Sequence, residues 1–176
     1  DGVERMRELI LGLLAYSRVT TDKIELEPLD ANDIVKRAID NLSETINENQ
    51  ARIIYEQLPM VTYDKVMLTQ LFQNLIGNAI KYKGADKPMI EITAKSRDNF
   101  WEFSIKDNGM GMEDKYLERI FTMFQRLHRK EDIPGTGIGL SLCQKIVERY
   151  GGKIWVESEP GVGTTFYFTT PKHIDA

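Results

Sequence analysis

LFQNLIGNAIKY, Leu71 to Tyr82, reads first as a buried helix. Leu71, Phe72, Leu75, Ile76, Ala79 and Ile80 recur at the spacing of a broad apolar face. A second line runs through the same turns. Asn74, Asn78 and Lys81 stand four and then three residues apart, which stacks their side chains on one side of the helix. A merely solvated face is more readily built from Glu, Lys and Gln, because Asn competes with its own backbone for hydrogen bonds. Two amides and an ammonium on an oily helix suit a polyphosphate with its cation. The amide oxygens can ligate a hard metal without adding negative charge, and the lysine can face phosphates. The helix alone does not choose between that reading and a plain polar edge.

Around this helix there are 176 residues, enough for one domain with a proper core and an appendage. The net charge of −4 and the lack of a basic run give no electrostatic footprint for nucleic acid. A single cysteine, Cys143, rules out a disulfide framework. No run of ~18 apolar residues and no signal-peptide pattern is present. The chain begins with Asp1 rather than Met, so it is expected to be an excised fragment, and the missing span says nothing of its parent.

Upstream of the central helix, Val3 to Val19 is predicted as an amphipathic helix without a partner in its own segment, like half of a hairpin. A short strand is expected over Ile24 to Leu29, then a helix from Ala31 to Glu48 with Asp30 before it. A β stretch follows at Arg52 to Leu58, and a turn through Pro59 leads to Asp64 as N-cap of the central helix. Downstream the period becomes two: Ile90, Ile92 and Ala94 alternate with polar residues, Arg97 to Asn99 turns, and Phe100 to Lys106 returns. Asp114 to Leu127 reads as helical in part, Ser141 to Tyr150 as a helix stopped by Gly151-Gly152, and Lys153 to Ser158 and Thr165 to Thr169 as closing strands.

Three further signals carry chemistry. Asp107 precedes Gly109 and Gly111 at the end of an apolar strand. Asp-Asn-Gly is ordinary turn chemistry. The alternative is a carboxylate pointed into a pocket, which accepts from the exocyclic amine of adenine and rejects the carbonyl of guanine. Gly135-Thr136-Gly137-Ile138-Gly139-Leu140 opens a helix, so its backbone N–H groups can approach phosphate oxygens. Its spacing is neither the dinucleotide fingerprint nor a P-loop. Thr164, after Gly161 and Gly163, is a hairpin residue or a hydroxyl near a base.

The order of these four elements is far more specific than any one of them. From about Ile24 to Pro171 the chain resembles the ATP-binding domain of sensor histidine kinases, in the superfamily shared with type II topoisomerases, a heat-shock chaperone and mismatch-repair ATPases. Asn74 to Tyr82 is similar to the family's N-box, Asp107 to Gly111 to its first glycine box, and Gly135 to Leu140 to its second. Ile120 to Leu127 resembles the phenylalanine box that marks the kinases, and FQRLHRKEDIPGTGIGL is similar to phytochrome-like members.

The resemblance implies an α/β sandwich (α+β), with a mixed sheet and helices packed on one face. Its parts are a second hairpin helix over 1–20, an ATP-binding domain over 21–172 and a tail over 173–176. It implies ATP and Mg2+ as cofactors, with Asn78 on the metal, Asn74 supporting the phosphates, and Lys81 and Arg126 positioning them. Tyr82 would flank the nucleotide, Asp107 would read adenine, and Thr164 would stand beside it through water. Gly109, Gly111, Gly135, Thr136, Gly137, Gly139 and Leu140 would line the site, and His128 to Pro134 would form a lid. The phosphoacceptor histidine is expected upstream of Asp1, and neither His128 nor His173 suits that role. Implied partners are a response-regulator receiver domain and a second copy, through the hairpin, in a cytoplasmic setting. Rival readings are an anti-sigma-type protein serine kinase, against which the leading helix counts, and a nucleotide-binding module without turnover.

Overall fold

The computed structural model describes residues 1–126, 133 and 135–173. Helix α4 (Lys65–Lys81) stands where the apolar spacing predicts it. Asp64 starts it: one carboxylate oxygen accepts the N–H groups of Val66 at 3.0 Å and Met67 at 3.1 Å, donors that the first turn cannot satisfy itself. Leu68, Leu71, Phe72, Leu75 and Ile76 are fully buried along its inner face.

What they bury against is a five-stranded sheet. Its strands are β2 (Arg52–Tyr55), β4 (Met89–Ser96), β5 (Phe100–Asp107), β6 (Ile154–Glu159) and β7 (Gly163–Pro171), in the order β2-β4-β5-β7-β6. The β2–β4 pair is parallel and the other pairs are antiparallel, so the sheet is mixed. Alternation sends Ile90, Ile92, Phe103, Ile105, Phe166 and Phe168 to one side. Phe72 meets Phe103 and Phe168 edge-on, at 5.7 and 5.4 Å between ring centres, while those two stack on each other at 5.0 Å. Glu91, Glu102, Lys106 and Tyr167 fall on the opposite parity and remain polar. Helices therefore cover one face only, as the sequence led us to expect.

Helices α2 (Ala31–Asn41) and α5 (Gly139–Arg149) flank α4. The leading helix α1 (Gly2–Thr21) lies on α5. Its contact stripe is Gly12, Tyr16 and Val19: Val19 is buried, and Lys145 Nζ sits 3.8 Å from the centre of the Tyr16 ring. A methyl group on Gly12 would lie 3.0 Å from Ile138 Cδ1, which accounts for a glycine in mid-helix. Val3, Met6, Ile10 and Leu14, apolar residues of this amphipathic helix, stay exposed.

Two expectations need correction. The segment after Pro59 is a strand, β3 (Met60–Asp64), paired antiparallel with β1 (Leu26–Asp30) as a separate two-stranded sheet. Val61 and Tyr63 are its buried alternates. The long helix from Ala31 breaks at Leu42, whose ψ of 11° is not helical, and resumes as α3 (Ser43–Asn49), closed by Gln50 in the left-handed region. The span from Asp114, expected to be helical in part, holds the 3-10 turn Asp114–Tyr116.

Candidate functional site

Strand β5 ends on Asp107, half-buried at the mouth of a pocket walled by Met110, Met112, Ile120, Leu140 and Phe166. Its Oδ1 accepts the backbone N–H of Gly109 at 2.8 Å and that of Thr164 at 3.1 Å. Among the described residues no hydrogen bond reaches Oδ2, so one oxygen is fixed and the other is available to a ligand. Burial pushes the Asp107 pKa up, and the two backbone hydrogen bonds pull part of that rise back.

The turns around Asp107 leave no room for side chains. A Cβ on Gly111, at φ +67°, would collide with the carbonyl oxygen of Glu159. A Cβ on Gly109 would strike the carbonyl oxygen of Tyr82, to which Met110 N–H also donates at 3.0 Å. The end of α4 and the Asp107 turn are thus pinned together.

Thr164, 7% exposed, lines the pocket beside Asp107, and its hydroxyl lies 2.7 Å from Ser158 Oγ. Ser158 also accepts Met112 N–H at 2.9 Å. Sequence reading missed Ser158 because nothing local links it to a loop 46 residues earlier.

The other end is built on α4 and the glycine loop. Asn74, Asn78, Lys81 and Gly135 line one open groove, and Asn78 also faces the base pocket, so it stands where the two meet. Asn74 Nδ2 is buried without a hydrogen-bond partner among the described residues. Lys81 Nζ rests against Gly135, where a Cβ would overlap it. Its pKa is lowered by burial first and then by the positive charge of Arg126, with Glu8 opposing. Arg126 lines the base pocket and donates to the carbonyl of Ile133. Neither cation is ion-paired to an acid among the described residues.

Helix α5 starts at Gly139 with no side-chain cap, and Leu140 in its first turn lines the base pocket. Gly137, at φ +75°, accepts Phe124 N–H at 2.8 Å and so ties the loop to the segment before it. Thr136 is half-buried between these glycines. An apolar pocket with acceptors and Arg126 in its lining, joined at Asn78 to a groove lined by Lys81 and Asn74, fits a nucleoside polyphosphate.

The sequence profile of the histidine kinase-, DNA gyrase B- and HSP90-like ATPases matches residues 63–174. This chain belongs to that ATPase family. It is 43% identical over 170 residues to the phytochrome-like protein Cph1 of Synechocystis sp., covering 97% of this chain and 23% of that protein. Among solved structures, full-length ShkA in complex with AMPPNP superposes with a TM-score of 0.80 at 26% identity, over 96% of this chain and 36% of that one. Histidine kinase ThkA, in complex with the response regulator protein TrrA, superposes at 0.77 and 25% identity, over 98% of this chain and 48% of that one. The chain thus spans about a quarter of the curated relative's length. It is the histidine kinase type of ATP-binding catalytic domain.

In this family member, the sequence-predicted site residues converge as two clusters that share Asn78. Tyr82 closes the base side. Gly109, Gly111 and Gly137 serve by letting backbones approach, as their geometry shows. The expected lid, His128 to Pro134, lies outside the described residues except for Ile133. His173 is exposed, beyond strand β7. No helix among the described residues is long and apolar enough to cross a membrane.

Proposed function

We propose that this domain binds Mg-ATP and presents its γ-phosphoryl group to a histidine on the dimerisation hairpin of the parent kinase, from which a response-regulator receiver domain takes it. The observation that carries the reading is Asp107: a carboxylate lining an apolar pocket, with one oxygen locked by two backbone donors and the other without a hydrogen bond among the described residues, a natural partner for the amine of adenine. In the groove that shares Asn78 with this pocket, the Lys81 cation is disfavoured by burial and by the positive charge of Arg126. A polyphosphate between them relieves that repulsion and orients the terminal phosphate.

Among the described residues no cluster of three or more His, Cys, Asp or Glu side chains could cage a metal. That suits Mg2+, which binds readily through substrate phosphates, waters and one or two protein oxygens. Asn78, which lines both cavities, would supply such an oxygen, and the bound ion would neutralise phosphate charge. In the transfer the bond from the γ-phosphorus to its bridging oxygen breaks, a nitrogen–phosphorus bond forms on the histidine, and ADP leaves. The residues described here contribute positioning and charge neutralisation. The exposed apolar residues of α1 support reading it as the second helix of the hairpin, with α1 of a second copy as its neighbour in the parent.

Labelling with γ-labelled ATP tests this. The present chain should bind Mg-ATP without acquiring phosphate, and the protein extended by its preceding helix should acquire acid-labile phosphate. Acid-labile phosphate on the present chain would contradict the proposal, because only His128 or His173 could then be the acceptor.

A further inference from the structure

The hydroxyl of Thr164 is a side-chain polar group at the base end that could either donate or accept. Its direction follows from Ser158. Ser158 Oγ stands 2.9 Å from the N–H of Met112, 3.0 Å from the carbonyl oxygen of Gly163 and 2.7 Å from Thr164 Oγ1. The Met112 N–H can only donate and the Gly163 carbonyl can only accept. Ser158 has one proton. Given to the Gly163 carbonyl, it leaves Ser158 to accept from both Met112 and Thr164, and all three contacts are hydrogen bonds. Given to Thr164, it leaves two lone-pair-bearing oxygens facing each other at 3.0 Å.

We propose that Ser158 is a positioning residue that draws the Thr164 proton away from the pocket, so that the base end offers acceptors only. Thr164 Oγ1 then joins Asp107 Oδ2 in presenting lone pairs, directly or through one water. A base edge carrying an amine is held, and one carrying a carbonyl oxygen meets no donor from these two groups. This rests on the adenine reading of the pocket and sharpens it: Asp107 would not be the sole source of discrimination. Removing the Ser158 hydroxyl frees the Thr164 proton to swing inward and donate to a carbonyl.

The experiment compares binding of ATP and inosine triphosphate, which carries a carbonyl oxygen where adenine carries its amine. Both are titrated calorimetrically into the chain and into Ser158→Ala and Ser158→Thr. In Ser158→Ala the preference for ATP should fall roughly five- to tenfold, the worth of one net neutral hydrogen bond gained by the wrong base. Ser158→Thr, which keeps the hydroxyl, should retain the parent preference. A purely structural role would weaken both nucleotides together and leave their ratio alone. An unchanged ratio in Ser158→Ala, with ATP still bound and preferred by the parent, overturns the role of Ser158 only. Should Ser158→Ala fail to fold, Ser158→Cys replaces it: a partial fall in the ratio supports the proposal, and an unchanged ratio overturns it. A parent chain that binds both nucleotides equally, or neither, overturns the adenine reading and this proposal with it.

Discussion

At the base end of the pocket the polar atoms are held by the fold: Asp107 by two backbone N–H groups, Thr164 by Ser158, and Ser158 by Met112 and Gly163. The phosphate end is held by the opposite of such bonds. Among the described residues Asn74 keeps a buried donor without a partner, and Lys81 is disfavoured as a cation by burial and by Arg126. A preformed base end can discriminate without reorganising, so specificity resides there. A phosphate end built from mutually repelling groups costs the free domain stability, and it recovers that cost when a polyanion arrives. Metal dependence therefore resides at that end, and affinity is shared by the two.

The largest expected departure is at the base end. Asp107→Asn replaces an acceptor with a group that can turn a donor toward the adenine amine. Losing a charge-assisted hydrogen bond of ~1.5–3 kcal/mol should weaken ATP roughly ten- to a hundredfold, read by calorimetry. Unchanged affinity would remove Asp107 as the base reader and dissolve the contrast.

At the phosphate end the sign should reverse between folding and binding. Asn74→Leu removes a buried orphan donor at similar volume. It should therefore stabilise the free domain by about 1 kcal/mol, or roughly 2–4 °C in Tm. The same change should weaken Mg-ATP, measured by titration on the same sample. A variant less stable than the parent would mean that Asn74 is structural.

A smaller effect is the pH dependence of ATP binding. The Asp107 pKa is raised, so on acidification it protonates before an ordinary carboxylate and loses its second acceptor; affinity falls as pH drops through that pKa. Folding goes the other way: between the unfolded and the raised folded pKa the folded state binds more protons, so Asp107 alone makes stability rise as pH falls across that window. Lys81 has a lowered pKa, so its deprotonation cuts phosphate affinity on the alkaline side earlier than for an ordinary lysine. Binding should follow a bell whose acid limb is reduced in Asp107→Asn and whose alkaline limb is reduced in Lys81→Met. Limbs that stay the same in both variants would assign the titrations elsewhere, the nucleotide's own phosphate included.

The two ends were also unequally legible. Asn74, Asn78 and Lys81 announce themselves through helical spacing, and Asp107 with its glycines through order along the chain, because both signals are local. Ser158 is an ordinary strand serine until β6 and the Met112 loop meet in space. Gly12 reads as a tolerated weakness in a helix until Ile138 is seen against it. Strand β3 was hidden by Pro59, which looked like a turn, and its partner β1 lies thirty or more residues upstream. The break at Leu42 has no glycine or proline to mark it; the backbone there leaves the helical region in mid-sequence.

Amide hydrogen exchange with and without Mg-AMPPNP tests the contrast most directly. The N–H groups of Gly109 and Thr164, both bound to Asp107, should already be protected in the free chain and change little on adding the nucleotide. The N–H groups of the glycine loop and first turn of α5, Gly135 to Leu140, should gain protection. Fast exchange at Gly109 and Thr164 in the free chain, or no gain along the loop when nucleotide binds, would contradict the account.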